Sequence, residues 1–415
     1  MDDLLAALRP FDADAILRAA PDPWDYLPMP ARRAGPPWAT AESIAAEPAL
    51  AARIIARLVA DGSAAALATA VREAMTAGDP VVVTGCGTSE HAAMGVAEIL
   101  ADGCRAAGLI GPAGRAPVSA QAFELSLAAP SQGLVIGVSH EGGTGATIAA
   151  LVAARAAGAR TALITASAGA PATAAADIVL ATVEMDSSWC HTVGYVSPMV
   201  AATAIAGILA GGTPNPERPA GRLRDGIEAG HAAGAAGVRP DAAIGAAIAA
   251  SEHLLVVASG VDRVTARELV LKIEEAAYVP SAARDLETFL HGHLPATGAG
   301  TSLVLVLLEQ RALEARTARA RQALRAAAVT GIKAAAILGA AASAAIPAEL
   351  TPAGRIVVLD HPQMPNSIAT LLGGAGPLQL VTLEVAHARG TNPDPIRRDD
   401  PVYLRAAEVA DTPEA

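Results

Sequence analysis

Aromatic side chains make up only 2% of the 415 residues, and the 52% hydrophobic fraction is inflated by alanine. No uninterrupted apolar run reaches the ~20 residues that a bilayer-spanning helix requires, so no membrane segment is expected. The longest apolar stretches, 199–210 and 334–346, read as buried helices. The chain also opens without a charged-then-apolar signal sequence, which fits a cytoplasmic protein. Cysteine is rare: Cys86, Cys104 and Cys190 show no CxxC spacing and no even-numbered framework, which excludes a disulfide scaffold and suits a reducing compartment. Each reads as a small buried residue. Basic charge is thin as well. The formal net charge is −11 with no dense Lys/Arg patch, so nucleic acid is not an expected partner. Lysine occurs twice, at Lys272 and Lys333.

Two glycine-hydroxyl stretches stand out against this background. Gly85-Cys86-Gly87-Thr88-Ser89 and Ser139-His140-Glu141-Gly142-Gly143-Thr144 each follow a short apolar run and each open an alanine-rich helical segment. Val81-Val82-Val83 and Leu134-Val135-Ile136 read as buried parallel strands. Both loops then lie at strand carboxyl ends, where backbone N–H groups and helix dipoles suit a small polar or anionic ligand.

Strand and helix signals alternate along the chain. Strands are expected at 81–84, 134–138, 161–165 and 178–181, with helices over 42–77, 89–101 and 144–157. This alternation argues for a doubly wound parallel sheet. A Pro/Gly/Arg stretch over 211–224 interrupts it, and a second series follows: strands at 254–257, 303–308 and 356–359, with helices over 264–277 and up to 328. The first two strands lie about fifty residues apart in both halves, which suggests an internal duplication. The expected class is therefore α/β, with two doubly wound parallel-sheet domains and flanking helices. Residues 1–40 form a proline-rich extension, 41–212 the first domain, 213–245 a linker with a connecting helix, and 246–415 the second domain with its tail.

Six pieces in order carry a family resemblance: Glu42 to Pro48, Gly85 to His91, the Ser139 loop, Lys272-Ile273-Glu274-Glu275 with Tyr278, His291-Gly292, and Pro377 to Leu380 with Gly390-Thr391. The chain resembles the sugar isomerase (SIS) superfamily over nearly everything after Thr40. Within it, the chain is most similar to the tandem isomerase half of glucosamine-6-phosphate synthase and its deglycase relatives. The resemblance implies no cofactor, a small sugar, sugar phosphate or amino sugar as partner, and a homodimer with shared sites. It places Gly87, Thr88, Ser89, Ser139, His140, Glu141, Thr144 and Ser197 at the substrate. Glu275 is implied as the base, and His291, arriving from the neighbouring subunit, as the ring-opening group.

Moving a sugar carbonyl between C1 and C2 needs one base that carries a proton between adjacent carbons, and a group that opens the ring. Glu275 and Lys272, three residues apart, project from one helical face. Three departures shape the reading. The chain begins Met1-Asp2-Asp3 with only about forty residues before the isomerase region, so glutamine-derived ammonia is not expected. The tail reads Arg397-Arg398-Asp399-Asp400 where the family carries a lysine, which leaves Lys272 as the one candidate for imine chemistry, provided its amine pKa is lowered. Glu141 falls where the family presents a hydroxyl to phosphate. A carboxylate ~5 Å from one phosphate charge costs about 3 kcal/mol at an effective dielectric of 20, against about 0.3–1 kcal/mol returned by a helix terminus. A substrate without phosphate, or one whose amino group meets Glu141, is then an option. The sequence leaves open aldose–ketose isomerisation, deaminating or deglycating isomerisation, and a sugar-sensing protein without catalysis.

Overall fold

The computed structural model describes residues 33–111, 114–232 and 237–410; most of the 1–40 extension lies outside the described residues. Among the described residues ten strands form two five-stranded sheets, every pair parallel. The first contains β1 (Val81–Gly85), β2 (Val118–Gln121), β3 (Leu134–Val138), β4 (Arg160–Thr165) and β5 (Ile178–Ala181), in the order β2-β1-β3-β4-β5. The second contains β6 (His253–Ala258), β7 (Ser281–Asp285), β8 (Thr301–Leu307), β9 (Lys333–Gly339) and β10 (Arg355–Val358). Its order, β7-β6-β8-β9-β10, repeats the first.

Helices of ten or more residues are α1 (Ala39–Ala60), α2 (Ser63–Ala77), α3 (Thr88–Ala106), α4 (Gly145–Ala157), α5 (Val193–Leu209), α6 (Glu217–His231), α7 (Pro240–Ala249), α8 (Asp262–Ala277), α9 (Leu313–Val329), α10 (Asn366–Arg389) and α11 (Pro401–Ala410). Gly62 in the left-handed conformation, φ 77°, divides the expected 42–77 helix into α1 and α2.

One hydrophobic core runs through both halves, joining Leu58, Val96 and Tyr195 to Leu269, Val306 and Leu378. Helix α10 is its axis, packing on α6, α7, α8, α3 and α1. Among the described helices it is long and apolar enough to cross a membrane, yet 89% of its apolar window is buried inside the protein. The expected buried helix at 199–210 lies within α5. The one expected at 334–346 is instead strand β9, followed by a short helical turn at Ala340–Ala345. Alanine favours helix intrinsically; here pairing on both sides with β8 and β10 overrides that preference. Asp394 in the tail closes the chain on itself, accepting N–H bonds from Ala39 and Thr40 at 2.9 Å each. This carboxylate caps the start of α1 from 354 residues away.

Candidate active site

Adjacent strands β1 and β3 deliver both glycine loops to one end of the first sheet. Gly85 is required by crowding, because a Cβ there would lie 2.5 Å from the Ser89 carbonyl oxygen. Gly87 adopts φ 57° and ψ −128°, a backbone conformation that only glycine takes easily. The turn brings Thr88 and Ser89 to the start of α3, facing α8 from the second half.

A chain of side chains then crosses between the halves. Lys272 Nζ donates to Thr88 Oγ1 at 2.7 Å and to Glu275 Oε2 at 2.6 Å, and lies 3.5 Å from Glu268 Oε1. Glu268 Oε2 in turn meets His91 Nδ1 at 2.7 Å. Lys272 and Glu268 are 1% and 0% exposed. Burial by itself lowers an ammonium pKa; the Glu275 and Glu268 carboxylates more than offset it and hold Lys272 above the ordinary lysine value. The lowered pKa that imine chemistry needs is therefore not met. Lys272 is a fixed ammonium, a donor rather than a nucleophile. Glu268 is likewise buried, which raises a carboxyl pKa, but Lys272 and His91 outweigh this and keep it below the usual range.

Beyond Glu275 a cavity of about 400 Å³ opens, walled by Tyr278 and by Arg397 and Tyr403 of the tail. The Arg397 guanidinium lies 4.6 Å from the Tyr278 ring centroid and 3.8 Å from that of Tyr403. Tyr278, Ile396 and Arg397 all have positive φ, at 58°, 43° and 65°. Strained backbone of this kind persists where surrounding contacts hold it. The tail thus presents arginine, not lysine, to the cavity that Glu275 enters.

The second loop is arranged differently from its reading in the sequence. Glu141 pairs with His191 Nε2 at 3.2 Å. Burial would raise the Glu141 pKa, but the His191 bond and charge, aided by His140 and Arg398, bring it down to about 2. Burial would lower the His191 pKa, and Glu141 raises it. Arg398 stacks 3.5 Å from the Trp189 ring centroid. The carboxylate that looked hostile to phosphate therefore carries its own counter-ions. His140 is held inside the protein. It is 4% exposed, and its Nε2 accepts the Asp186 N–H at 3.0 Å while Asp186 caps α5 through the N–H groups of Thr192, Val193 and Gly194. Ser139 Oγ reaches Thr144 Oγ1 at 3.4 Å, and Thr144 is exposed at the start of α4 without a side-chain capping bond. Ser197 is 2% exposed within α5 and makes no hydrogen bond to either loop.

His291 is not brought to Glu275 within one chain. Its ring is 72% exposed and pairs with Glu287 at 2.8 Å, on a kinked segment where Gly292 adopts φ 130°. The sequence reading missed Glu268 and His91, although Glu268 stands four residues before Lys272, a helical-neighbour spacing that signals contact. His191 carries no local signal either, since nothing near it in sequence ties it to Glu141 fifty residues earlier. Burial raises the pKa of all three free thiols, Cys104 to about 11. None is poised as a nucleophile.

The chain superposes on the C-terminal domain of glucosamine-fructose-6-phosphate aminotransferase from Francisella tularensis at TM-score 0.70 and 18% identity, over 88% of this chain and 99% of that one. The fold is the tandem SIS fold. Tagatose-6-phosphate ketose/aldose isomerase from Escherichia coli matches at TM-score 0.68 and 16% identity, over 89% of this chain and 97% of that chain. Glucosamine-6-phosphate deaminase from Thermotoga maritima matches at TM-score 0.58 and 16% identity, over 86% and 97% respectively. No protein-family model matches the sequence, and no curated protein matches it.

The two halves differ at the equivalent loops. In the second half, the loop after β6 faces the loop after β8, as the Gly85 and Ser139 loops do in the first. There Glu309 Oε2 accepts the Val261 N–H at 3.2 Å, and Asp262 Oδ2 accepts those of Leu308 and Glu309 at 2.9 Å. Those carboxylates take up backbone N–H groups of both loops. The first half retains Ser89, Thr144 and the uncapped start of α4.

Proposed function

We propose that the crevice between the Gly85 loop and α8 is the active site of a glutamine-independent sugar isomerase, one that shifts a carbonyl between C1 and C2 or couples that shift to deamination or deglycation. The observation that carries this reading is the hydrogen-bonded chain Thr88–Lys272–Glu275, which ties the first half's binding loop to the second half's carboxylate. In this reading Glu275 takes the proton from one carbon and returns it to its neighbour. The Lys272 ammonium orients that carboxylate and offsets charge on the enediol or enolamine oxygen. Gly87, Thr88, Ser89, Ser139 and Thr144 hold the sugar, and Glu141 with His191 borders its distal end. His291 of a second copy opens the ring, so the functional unit is a homodimer with shared sites. The printed activities of the structural neighbours, an isomerase and a deaminase acting on 6-phosphosugars, support this substrate class.

A second reading, a sugar-binding protein without turnover, draws on the fixed ammonium state of Lys272 and the arginines in the tail, which leave no amine for an imine. Incubation in deuterated water with phosphorylated and unphosphorylated hexoses and hexosamines, read by proton NMR, separates the two. Loss of the C1 or C2 proton signal supports the enzyme. Saturable binding with no exchange for any sugar supports the binding protein and overturns the isomerase.

A further inference from the structure

Outside the crevice, three guanidinium groups line one small cavity. Arg263 and Arg267 stand one turn apart on α8, and Arg284 is the penultimate residue of β7; the cavity between them measures about 190 Å³, with Met94, Ala266 and Ala283 as its apolar floor. Asp285 is the one carboxylate lining it. Arg263 donates to the Gly260 carbonyl at 3.1 Å and lies 3.6 Å from Asp285. Arg284 Nη1 donates to its neighbour's carbonyl at 2.8 Å, while its Nε is buried with no hydrogen-bond partner. Arg267 makes no hydrogen bond or ion pair among the described residues. Three cations against one carboxylate is a local excess of +2 on a chain whose net charge is −11. Like charges crowded around a cavity, one with a desolvated donor, oppose folding unless an anion joins them.

We propose that this cavity is an anion site, separate from the sugar crevice, that takes a phosphoryl group. Guanidinium forks match phosphoryl oxygens in bidentate fashion. The position adds to the attraction, since the cavity lies at the carboxyl end of β7 beside the positive end of α8. Its volume is below the ~300–1,000 Å³ of sites for drug-sized ligands, so the occupant is free phosphate or the end of a small phosphomonoester, not a nucleotide. Arg267 and Lys272 are five residues apart, about 140° around the helix axis, so the cavity and the Glu275 site open on different faces of α8. Met94 belongs to α3, the helix that begins at Thr88. The two helices joined by the Thr88–Lys272 bond therefore both border the bound anion.

Calorimetric titration of the full chain at constant ionic strength tests this, with inorganic phosphate in one arm and glycerol 3-phosphate in the other. A preference for either ligand identifies the source; heat from neither overturns the site. R267Q/R284Q is expected to weaken one phosphate-binding event per chain at least about tenfold, and R267K/R284K to weaken it less, since charge is kept and the fork lost. S139A/T144V, which alters the crevice, leaves that event in place, so failure here is distinguishable from failure of the isomerase reading. R115Q/R325Q removes equal charge elsewhere and is expected to have no such effect. Should R267Q/R284Q fail to fold, R267Q alone carries the test. Phosphate binding unchanged in the arginine variants, an equal loss in R115Q/R325Q, or dissociation of the oligomer with phosphate binding intact overturns the proposal.

Discussion

Replacing Glu47 by glutamine stabilises this protein at neutral pH and leaves it unchanged in mild acid. Glu47 is 0% exposed on α1, and its Oε1 accepts the Gln379 Nε2–H of α10 at 2.7 Å. Its other oxygen and the Gln379 Oε1 both lack partners. Burial, with the Asp186 charge adding to it, raises the Glu47 pKa well above 4.5 despite the Gln379 bond. A neutral carboxyl resolves the arrangement, because protonation makes its second oxygen the donor that Gln379 Oε1 needs. A raised carboxyl pKa means that the folded state binds more protons than the unfolded state. Stability then falls as pH rises from about 4.5 toward the folded value. Each pH unit climbed between those two values costs about 1.4 kcal/mol. Glutamine supplies the same donor without taking up a proton. Urea denaturation of E47Q and the parent between pH 4 and 8 reads the difference directly. The expected gain is largest at the alkaline end of this range and shrinks to nothing near pH 4.5. A variant less stable at pH 7, or a gain independent of pH, refutes the reasoning.

Glu141, held at about 2 by His191, contributes stability that is present above pH 4.5 and lost as pH falls through 2. E141Q should therefore be less stable than the parent by on the order of 3 kcal/mol near pH 6, with the gap closing toward pH 2 in urea titrations; a gap that persists in acid contradicts the pairing. The raised His191 pKa has the opposite window, its stabilisation present below 6.5 and lost as pH rises through the folded value. K272M leaves buried Glu268 without its ammonium and should cost about 3–5 kcal/mol in the same assay; a loss under about 1 kcal/mol would show that the contact is peripheral. Because each proposed site draws Glu275 and His291 from different copies, H291A and E275Q are expected to be inactive separately. Mixed after gentle dissociation, they should regain about a quarter of parental activity by random pairing, and no recovery would place both residues in one chain's site.

The strands that the sequence disclosed most clearly are those buried on both faces, such as Val81-Val82-Val83 and Leu134-Val135-Ile136, whose β-branched runs end in glycine loops. Val118–Gln121 and Ser281–Asp285 escaped notice because they are edge strands with exposed and polar positions and little periodicity. β9 was read as helix because alanine fills it, and only pairing on both sides makes it a strand. Lys272 and Glu275 were legible as helical neighbours through their spacing. Their electrostatic state was not, since it depends on Thr88 and Glu268, and Thr88 is 184 residues distant. Glu141 likewise looked like an uncompensated charge until folding placed His191 against it.

The role of Glu275 is tested most directly by E275Q, in which the carboxylate is replaced by an amide of nearly the same shape. With the sugar on which the parent shows solvent-deuterium exchange at C1 or C2, E275Q should bind within about threefold of the parent and lose at least about a hundredfold in exchange rate. Exchange retained at parental rate, with binding intact, would remove this carboxylate from proton transfer and with it the catalytic reading of the crevice.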